Sequence, residues 1–179
     1  MNLRDGTPIS TRRLLLRPFR ATDAGAFLAY QDHPDVRRHL PGTAMDADAA
    51  RRYVAVQAAM SGEERDAWHG WVLEHRDDGR VVGDVGVWVP AGDPPRGDVG
   101  FQLAPTHHRQ GLATEAVAAL CRHLLDVAGL ARLTAGCDAA NAGSRRVLRA
   151  VGMVELPVPP AGQRAFELLS RAAAGGAAG

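Results

Sequence analysis

The sequence predicts one α/β domain with about seven strands and four helices. Three observations support this fold class. The chain has 179 residues, 46% of them hydrophobic, which is enough for one domain with a sizeable core. Short apolar runs bounded by Gly, Pro and Asp alternate with segments of helical periodicity. No repeat or composition shift divides the chain, so residues 1–170 are expected to form the domain and the small residues of 171–179 a disordered tail.

The first half of the chain predicts three strands and two helices. In chain order these are a strand at 14–19, a helix from Thr22 or Asp23 to Tyr30, a helix at 46–60, and strands at 68–75 and 81–89. Pro34, Pro41 and Gly42 are expected to break the chain between the two helices. The sequence Asp-Asp-Gly at 77–79 predicts a turn between the two later strands.

The second half predicts a central helix between strands. In chain order the elements are a strand at 97–103, a helix at about 113–128, a strand at 133–137, a helix at 141–152, and a final strand pair at 153–156 and 164–169. The central helix is predicted from apolar residues at helical spacing: Ala113, Ala116, Val117, Leu120, Cys121, Leu124 and Ala128. The last helix is expected to end at Gly152, a typical left-handed C-cap.

Composition and cysteine content narrow the expected partners and location. The formal net charge of +1 gives no overall field for nucleic acid or an anionic membrane. No apolar stretch reaches membrane-spanning length, and no signal-peptide core is present at the N-terminus. Cys121 and Cys137 have no paired spacing and are expected to be buried, free thiols. The expected location is therefore cytoplasmic.

The segment 104–116 is the most informative part of the sequence. It joins a predicted strand to the start of the central helix, with Gly111 in the turn between them. A glycine lets the backbone approach a ligand closely, and the first N–H groups of a helix lack internal partners. This arrangement favours an anion, with diphosphate as the natural ligand. The dinucleotide and P-loop glycine patterns are both absent.

A second informative segment covers residues 141–153. Asn141 is a favoured helix N-cap, and Ser144 lies in the first turn of the predicted helix. One interpretation is that Asn141 only caps the helix. The other is that it also faces a ligand at the end of the preceding strand. The two interpretations are compatible.

Together these segments resemble the GNAT superfamily of N-acetyltransferases, and within it the bacterial ribosomal-protein-alanine N-acetyltransferase branch. Residues 108–113 are similar to the signature Q/R-x-x-G-x-G/A, with His108 in place of the usual Gln or Arg. Residues 141–153 are similar to N-x-x-S-x-x-V-L-x-x-x-G-F/M. The resemblance covers about residues 12–169. It implies the GNAT fold, a mixed central sheet splayed between its fourth and fifth strands.

The resemblance implies acetyl-CoA as the acyl donor, with no metal. Its pantetheine arm is expected to pair with one strand edge, and its diphosphate to lie over the turn and the helix start. The residues implied for cofactor binding are Phe101, Gln102, Leu103, His108, Arg109, Gln110, Gly111, Leu112, Ala113, Thr114 and Asn141. A metal site at His107 and His108 is not expected, because adjacent ring positions point in different directions and no paired ligand spacing follows.

The reaction implied is direct acetyl transfer to a primary amine in a ternary complex. Many family members protonate the departing thiolate with a tyrosine, but Leu148 stands at that position, so Ser144 is the replacement candidate. For the proton of the amine, Asp98 is the first candidate and Glu74 the second, and a chain of waters is a third route. Backbone N–H groups near Leu103 are the expected oxyanion donors.

The acceptor is left open between a protein N-terminus, an amino acid, a polyamine and an aminoglycoside-like antibiotic. Acceptor specificity is expected from residues 34–46 and 156–163, which carry no dense acidic cluster. Expected partners are acetyl-CoA and the amine, with no nucleic acid and no membrane, and a homodimer is left open. The alternative function is an acyl-CoA sensor of the same fold without efficient turnover, which the missing tyrosine and the altered His108 would permit.

Overall fold

The computed structural model describes residues 1–40, 42–157, 162–170 and 173. The strands are β1 (Ile9–Ser10), β2 (Leu14–Pro18), β3 (Ala67–His75), β4 (Val81–Val89), β5 (Arg96–Leu103), β6 (Arg132–Asp138), β7 (Val154–Glu155) and β8 (Gln163–Leu169). The α-helices are α1 (Ala24–Gln31), α2 (Pro34–Arg37), α3 (Ala47–Ala59), α4 (Leu112–Arg122) and α5 (Ala142–Ala150). The predicted tail at 171–179 lies outside the described residues, apart from residue 173.

The described strands form one mixed sheet in the order β1-β2-β3-β4-β5-β6-β8-β7. Strands β1 to β5 form an antiparallel meander, whereas β5 and β6 are parallel. A parallel pair needs a long crossover, and α4 supplies it. The predicted α/β class and mixed sheet are confirmed.

Strands β5 and β6 separate after three residue pairs. Arg96, Gly97 and Asp98 pair with residues 132–134 of β6, and no later residue of β5 has a partner on that side. On its other side β5 stays paired with β4 as far as Leu103. Because β1 was not predicted, β5 and β6 are the fourth and fifth predicted strands, and the predicted splay between them is confirmed. It leaves one edge of β5 open over residues 99–103.

The sheet separates two apolar cores. On one face α4 packs through its apolar stripe against inward-facing residues such as Leu16, Trp71 and Val85. On the other face α1 and α3 pack around Phe27 and Val54. Side chains that alternate along each strand therefore point to different helices. This division lets the two faces of β5 serve different roles.

Several local predictions are refined by the structure. Pro34 does not only break the chain, because it begins the short helix α2, where a proline at the first position costs no hydrogen bond. Strand β1 adds a two-residue edge strand that its short sequence did not reveal. The central helix is α-helical only to Arg122 and continues as a π-helical segment, His123–Val127.

Two further features concern the cysteines and the helix lengths. Cys121 is buried, as predicted, but the prediction for Cys137 was wrong, because its side chain is only half-buried on β6. Both are free thiols. In the described part of the chain, no helix is both long enough and apolar enough to cross a membrane.

Candidate functional site

The N-terminus of α4 lies at the end of β5 and is open to a ligand. The chain leaves β5 through a 3₁₀ turn, Pro105–His107, and then takes two left-handed residues, Arg109 with φ 59° and Gly111 with φ 76°. Gly111 occupies the N-cap position, so no side chain caps the helix. The first intrahelical bond runs from the Glu115 amide to the Gly111 carbonyl, at 3.1 Å. The amides of the first turn therefore point outward at the positive end of the helix dipole.

Ion pairing fixes this helix end to the loop before β2. Glu115 accepts hydrogen bonds from the Thr11 hydroxyl at 2.7 Å and the Arg13 amide at 2.8 Å, and it pairs with the Arg13 guanidinium at 2.7 Å. Burial alone raises the pKa of Glu115, but these hydrogen bonds outweigh it and lower the pKa to about 2. Arg13 also donates to the Gln110 carbonyl at 2.8 Å. A guanidinium group is thus held beside the turn that precedes the helix.

His108, where this sequence departs from the family signature, holds the turn against β5. Its Nε2 donates to the Leu103 carbonyl at 2.8 Å. A neutral or a protonated imidazole can make this bond. His108 therefore supplies a side-chain contact inside the protein at the position where the signature has Gln or Arg.

The open edge of β5 presents backbone groups to the space between the separated strands β5 and β6, which is called the gap. The Ala104 amide bonds to the Val82 carbonyl of β4, which fixes the alternation along the antiparallel pair. The peptide groups of Val99, Phe101 and Leu103 consequently face the gap, while those of Gly100 and Gln102 face β4. Only an extended ligand chain can satisfy such an edge regularly.

Helix α5 follows β6, the strand on the other side of the gap. The Asn141 side chain accepts the Ser144 amide at 3.0 Å and so caps this helix. The capping interpretation of Asn141 is therefore observed in the structure. Ser144 is half-buried in the first turn of α5, beyond the end of β6, and its hydroxyl has no hydrogen-bond partner among the described residues.

A pocket of about 230 Å³ lies on the α1–α3 face of the sheet. Its lining combines aromatic, apolar and acceptor-bearing side chains from α1, the loop before α3, α3 itself and strands β3 to β5: Phe27, Gln31, Met45, Tyr53, Trp68, Asp84 and Gln102. Asp84 and Gln102 are directly paired across β4 and β5. Because Gln102 belongs to the part of β5 whose other edge is open, the pocket adjoins the gap.

Asp84 is the buried carboxylate of this pocket. It lies in the middle of β4 with 3% of its surface exposed, and the Tyr30 hydroxyl donates to its Oδ1 at 2.7 Å. Burial raises the pKa of Asp84, the Tyr30 hydrogen bond partly offsets this, and the resulting pKa is about 7. A carboxylate with such a pKa can accept a proton near neutral pH.

Glycines and a glutamine shape the aromatic wall of the pocket. A Cβ on Gly86 or Gly100 would lie 2.7 Å or 2.9 Å from the Trp68 ring, so their absent side chains make room for that ring. Gln57 of α3 bonds to the backbone of Trp68 and Gly70 at 2.9 Å and 2.7 Å. This contact packs α3 against residues 67–70 of β3, the part of the strand that is not paired with β2.

The predicted base candidates lie elsewhere. Asp98 is exposed on β5 at the apex of the splay, and its Oδ1 accepts the Thr134 hydroxyl at 2.7 Å. Glu74 on β3 pairs with Arg17 at 2.6 Å, and Arg17 also holds Asp23. Neither side chain lines the pocket. Their catalytic roles stay predictions that the structure does not support by proximity.

Sequence reasoning missed Asp84 and Arg13. The signal for Asp84 was a single acid inside an otherwise apolar strand, Val-Val-Gly-Asp-Val-Gly-Val at 81–87. Such a residue is rarely buried without a role. Arg13 had no signal of its own, because its contact with Glu115 joins residues that are 102 apart in sequence.

Two described residues of the first segment predicted to set acceptor specificity lie near the pocket and the end of β6. Met45 contributes to the pocket lining, and His39 Nδ1 lies 3.7 Å from Asp138 Oδ2 at the end of β6. Within the described ranges, no group of three His, Cys, Asp or Glu side chains is arranged to hold a metal ion. Part of the second predicted segment, 158–161, lies outside the described residues.

Comparison with known sequences gives a family for most of the chain. Residues 13–154 match the family described as Acetyltransferase (GNAT) domain. The uncharacterized N-acetyltransferase YoaA of Bacillus subtilis is 28% identical over 145 residues, which is 80% of this chain and 81% of that protein.

Comparison with solved structures gives the same fold. An acetyltransferase of the GNAT family from Bacillus anthracis has a TM-score of 0.77 at 22% identity, over 90% of this chain and 97% of that chain. RimJ of Mycobacterium smegmatis, solved in complex with CoA-disulfide, has a TM-score of 0.77 at 23% identity, over 93% of this chain and 90% of that chain.

Proposed function

This chain belongs to the GNAT acetyltransferase family and is an N-acetyltransferase, and we propose that it transfers the acetyl group of acetyl-CoA directly to a primary amine held in the α1–α3 pocket. One observation carries the proposal. The pocket is lined by Gln102, which lies between the gap-facing residues Phe101 and Leu103 of β5, and by its paired neighbour Asp84 on β4, so a donor on the open edge and an amine in the pocket meet at one point of the sheet.

The open edge of β5 and the start of α4 form the donor side of the site, and their residues fit acetyl-CoA. An extended pantetheine arm can pair with the peptide groups of Phe101 and Leu103. A diphosphate suits the uncapped start of α4, where Arg13 adds positive charge and Arg109 lies in the turn. The related RimJ was solved with a CoA compound, which supports the same ligand here. When bound, acetyl-CoA supplies an acetyl group activated as a thioester.

Asp84 is the proposed base on the acceptor side. The amine must lose a proton before its nitrogen has a lone pair for attack on the acetyl carbon. The Asp84 carboxylate, with its pKa of about 7, takes that proton in the buried pocket. Tyr30 holds the carboxylate in place through its hydrogen bond to Oδ1. As the new C–N bond forms, the C–S bond breaks, and the second proton of the nitrogen then passes to the departed thiolate, which gives the amide and CoA thiol.

The departing thiolate needs only a hydrogen bond, because it is a good leaving group. The Ser144 hydroxyl is the proposed donor, since Ser144 lies in the first turn of α5, which follows the end of β6 and is capped by Asn141. On β5 the Leu103 amide faces the gap and is the proposed donor to the developing oxyanion. His108 leaves this amide free, because it occupies the Leu103 carbonyl instead.

A thiol-release assay tests the proposal. Purified protein, acetyl-CoA and a panel of primary amines should release CoA thiol in step with the formation of acetylated amine. Equilibrium binding of acetyl-CoA is measured in parallel. Tight binding without turnover on any amine would contradict the proposed transfer and favour an acyl-CoA sensor.

A further inference from the structure

We infer that the acceptor is a compact primary monoamine with an apolar or aromatic body, and that Gln31 and Gln102 position its nitrogen through their amide oxygens. This inference rests on the proposed function, because it takes the α1–α3 pocket as the acceptor site.

Two unpartnered acceptors point to an amine. Gln31 and Gln102 line the pocket, and their Oε1 atoms are buried without a hydrogen-bond partner in the described structure. Gln31 is only 6% exposed, at the last position of α1. A buried acceptor without a donor is unfavourable, so both oxygens call for a ligand that donates.

The number of donors matches a primary ammonium. Asp84 lines the same pocket as the two glutamines, giving three acceptor groups. A primary ammonium carries three N–H donors, one for each group. The proton passed to Asp84 leaves two N–H bonds, and the glutamine oxygens can continue to accept them. Secondary and tertiary amines lack one or two of these donors.

The single charge and the size of the pocket disfavour the other candidate acceptors. Asp84 is the one charged side chain among the described residues that line the pocket, so a polyamine or an aminoglycoside would leave further cationic groups without a partner. An amino acid would place its carboxylate beside Asp84. A peptide extends beyond what a pocket of about 230 Å³ holds.

The remaining wall fits an apolar body. Phe27 and Tyr53 are stacked with ring centroids 4.9 Å apart, and Trp68 and Met45 complete the lining. These side chains offer contact area and aromatic faces that attract a cation. A volume of about 230 Å³ suits a small molecule rather than a folded surface.

Competition between acceptors tests the inference. Phenethylamine and pentylamine are compared with spermidine, kanamycin, free alanine and an alanine-initiated peptide, each with acetyl-CoA. The inference predicts that kcat/KM for the two monoamines exceeds that for the others by about tenfold or more. Preference for the peptide, alanine or a polycation would overturn the inference and leave the acetyltransferase proposal standing. No turnover on any acceptor would instead contradict the proposed function.

Variants at Gln31 test the positioning role. Gln31→Met removes the oxygen at similar volume and should raise the KM for phenethylamine about tenfold, leaving the KM for acetyl-CoA unchanged. Its thermal midpoint should stay equal or rise, because an unpartnered buried amide is removed. Gln31→Glu keeps an acceptor at the same place and should restore the amine KM. A folded Gln31→Met with an unchanged amine KM would overturn the role, and Gln102→Met repeats the test on the other wall.

Discussion

The two sides of strand β5 are built from different kinds of group. Toward the gap, the strand and the start of α4 present backbone amides and carbonyls, with the Arg13 guanidinium beside the preceding turn. Toward α1 and α3, the same strand faces buried side chains, of which Asp84 and Gln31 carry acceptor atoms. The charged side chain is a guanidinium beside the gap and a carboxylate in the pocket.

This difference corresponds to the two substrates, because one side is suited to bind acetyl-CoA and the other to select the amine. Side-chain substitutions leave the backbone groups in place. A strand edge and a helix start therefore suit acetyl-CoA, which stays the same whichever amine is acetylated. Side chains in a small pocket change readily, so they suit the choice of acceptor. Changes on the two sides should therefore affect different kinetic constants.

The largest effect is expected at Asp84. Asp84→Asn keeps the shape of the side chain but removes the proton acceptor, so kcat should fall by about 100-fold or more, while the KM for acetyl-CoA stays unchanged. In the native enzyme, Asp84 must be ionised to act, so kcat/KM should rise with pH up to the pKa of about 7 and then level. The pH profile of kcat/KM measures this limb, which the variant should lack.

Two observations distinguish a lost base from a damaged fold. The folded-state pKa of Asp84 is raised, so the free energy of unfolding falls as pH rises from about 4 to about 7. Asp84→Asn has no buried carboxylate to ionise and should melt at an equal or higher temperature at pH 8. Asp98→Asn is the rival variant. A large loss of kcat there, with Asp84→Asn active, would return the base to Asp98.

A smaller effect is expected at Gly111 on the donor side. Gly111→Val forces a β-branched residue to φ 76°, which should distort the start of α4 and raise the KM for acetyl-CoA about tenfold or more. The KM for the amine should stay within about twofold, since Gly111 does not line the pocket. Initial-rate kinetics with each substrate varied in turn measures both constants.

Gly129 offers a matched control for that variant. It has φ 78°, and a Cβ there meets no atom within 4 Å, so Gly129→Val carries similar strain at a place away from the gap. The control should lose stability without a change in the KM for acetyl-CoA. Equal increases in both variants would show that strain alone, and not a damaged diphosphate site at the start of α4, explains the result.

The smallest effect is expected at Ser144. Ser144→Ala removes one neutral hydrogen bond to the departing sulfur, so kcat should fall by about three- to tenfold with little change in the KM for acetyl-CoA. Steady-state kinetics measures both. Because Asn141 caps α5 through the Ser144 amide, the helix itself should be unaffected. A rise in KM at constant kcat would place Ser144 in cofactor binding instead.

The donor side could be predicted from the sequence because its signals are local. The apolar stripe of α4 and the glycine before it lie within one short segment, and Gly111 adopts the left-handed backbone that a glycine turn allows. The order of strands and helices follows from similar local patterns. The contact of His108 with Leu103 needed the structure, although both residues belong to the predicted segment.

The acceptor side could not be predicted, because it depends on distant packing. Tyr30 and Asp84 are 54 residues apart in sequence, and only the docking of α1 and α3 on the sheet buries the carboxylate. Sequence reasoning chose Asp98 from its place on the strand before the turn. The structure instead leaves Asp98 exposed at the apex of the splay.

A crystal structure with CoA and phenethylamine tests the central claim most directly. The account predicts the pantetheine arm along Phe101 and Leu103, the diphosphate at the start of α4, and the amine nitrogen in contact with Asp84, Gln31 and Gln102. The CoA sulfur should then lie on the β5 edge beside that nitrogen. A CoA molecule bound away from this edge, or an amine bound outside the α1–α3 pocket, would contradict the account.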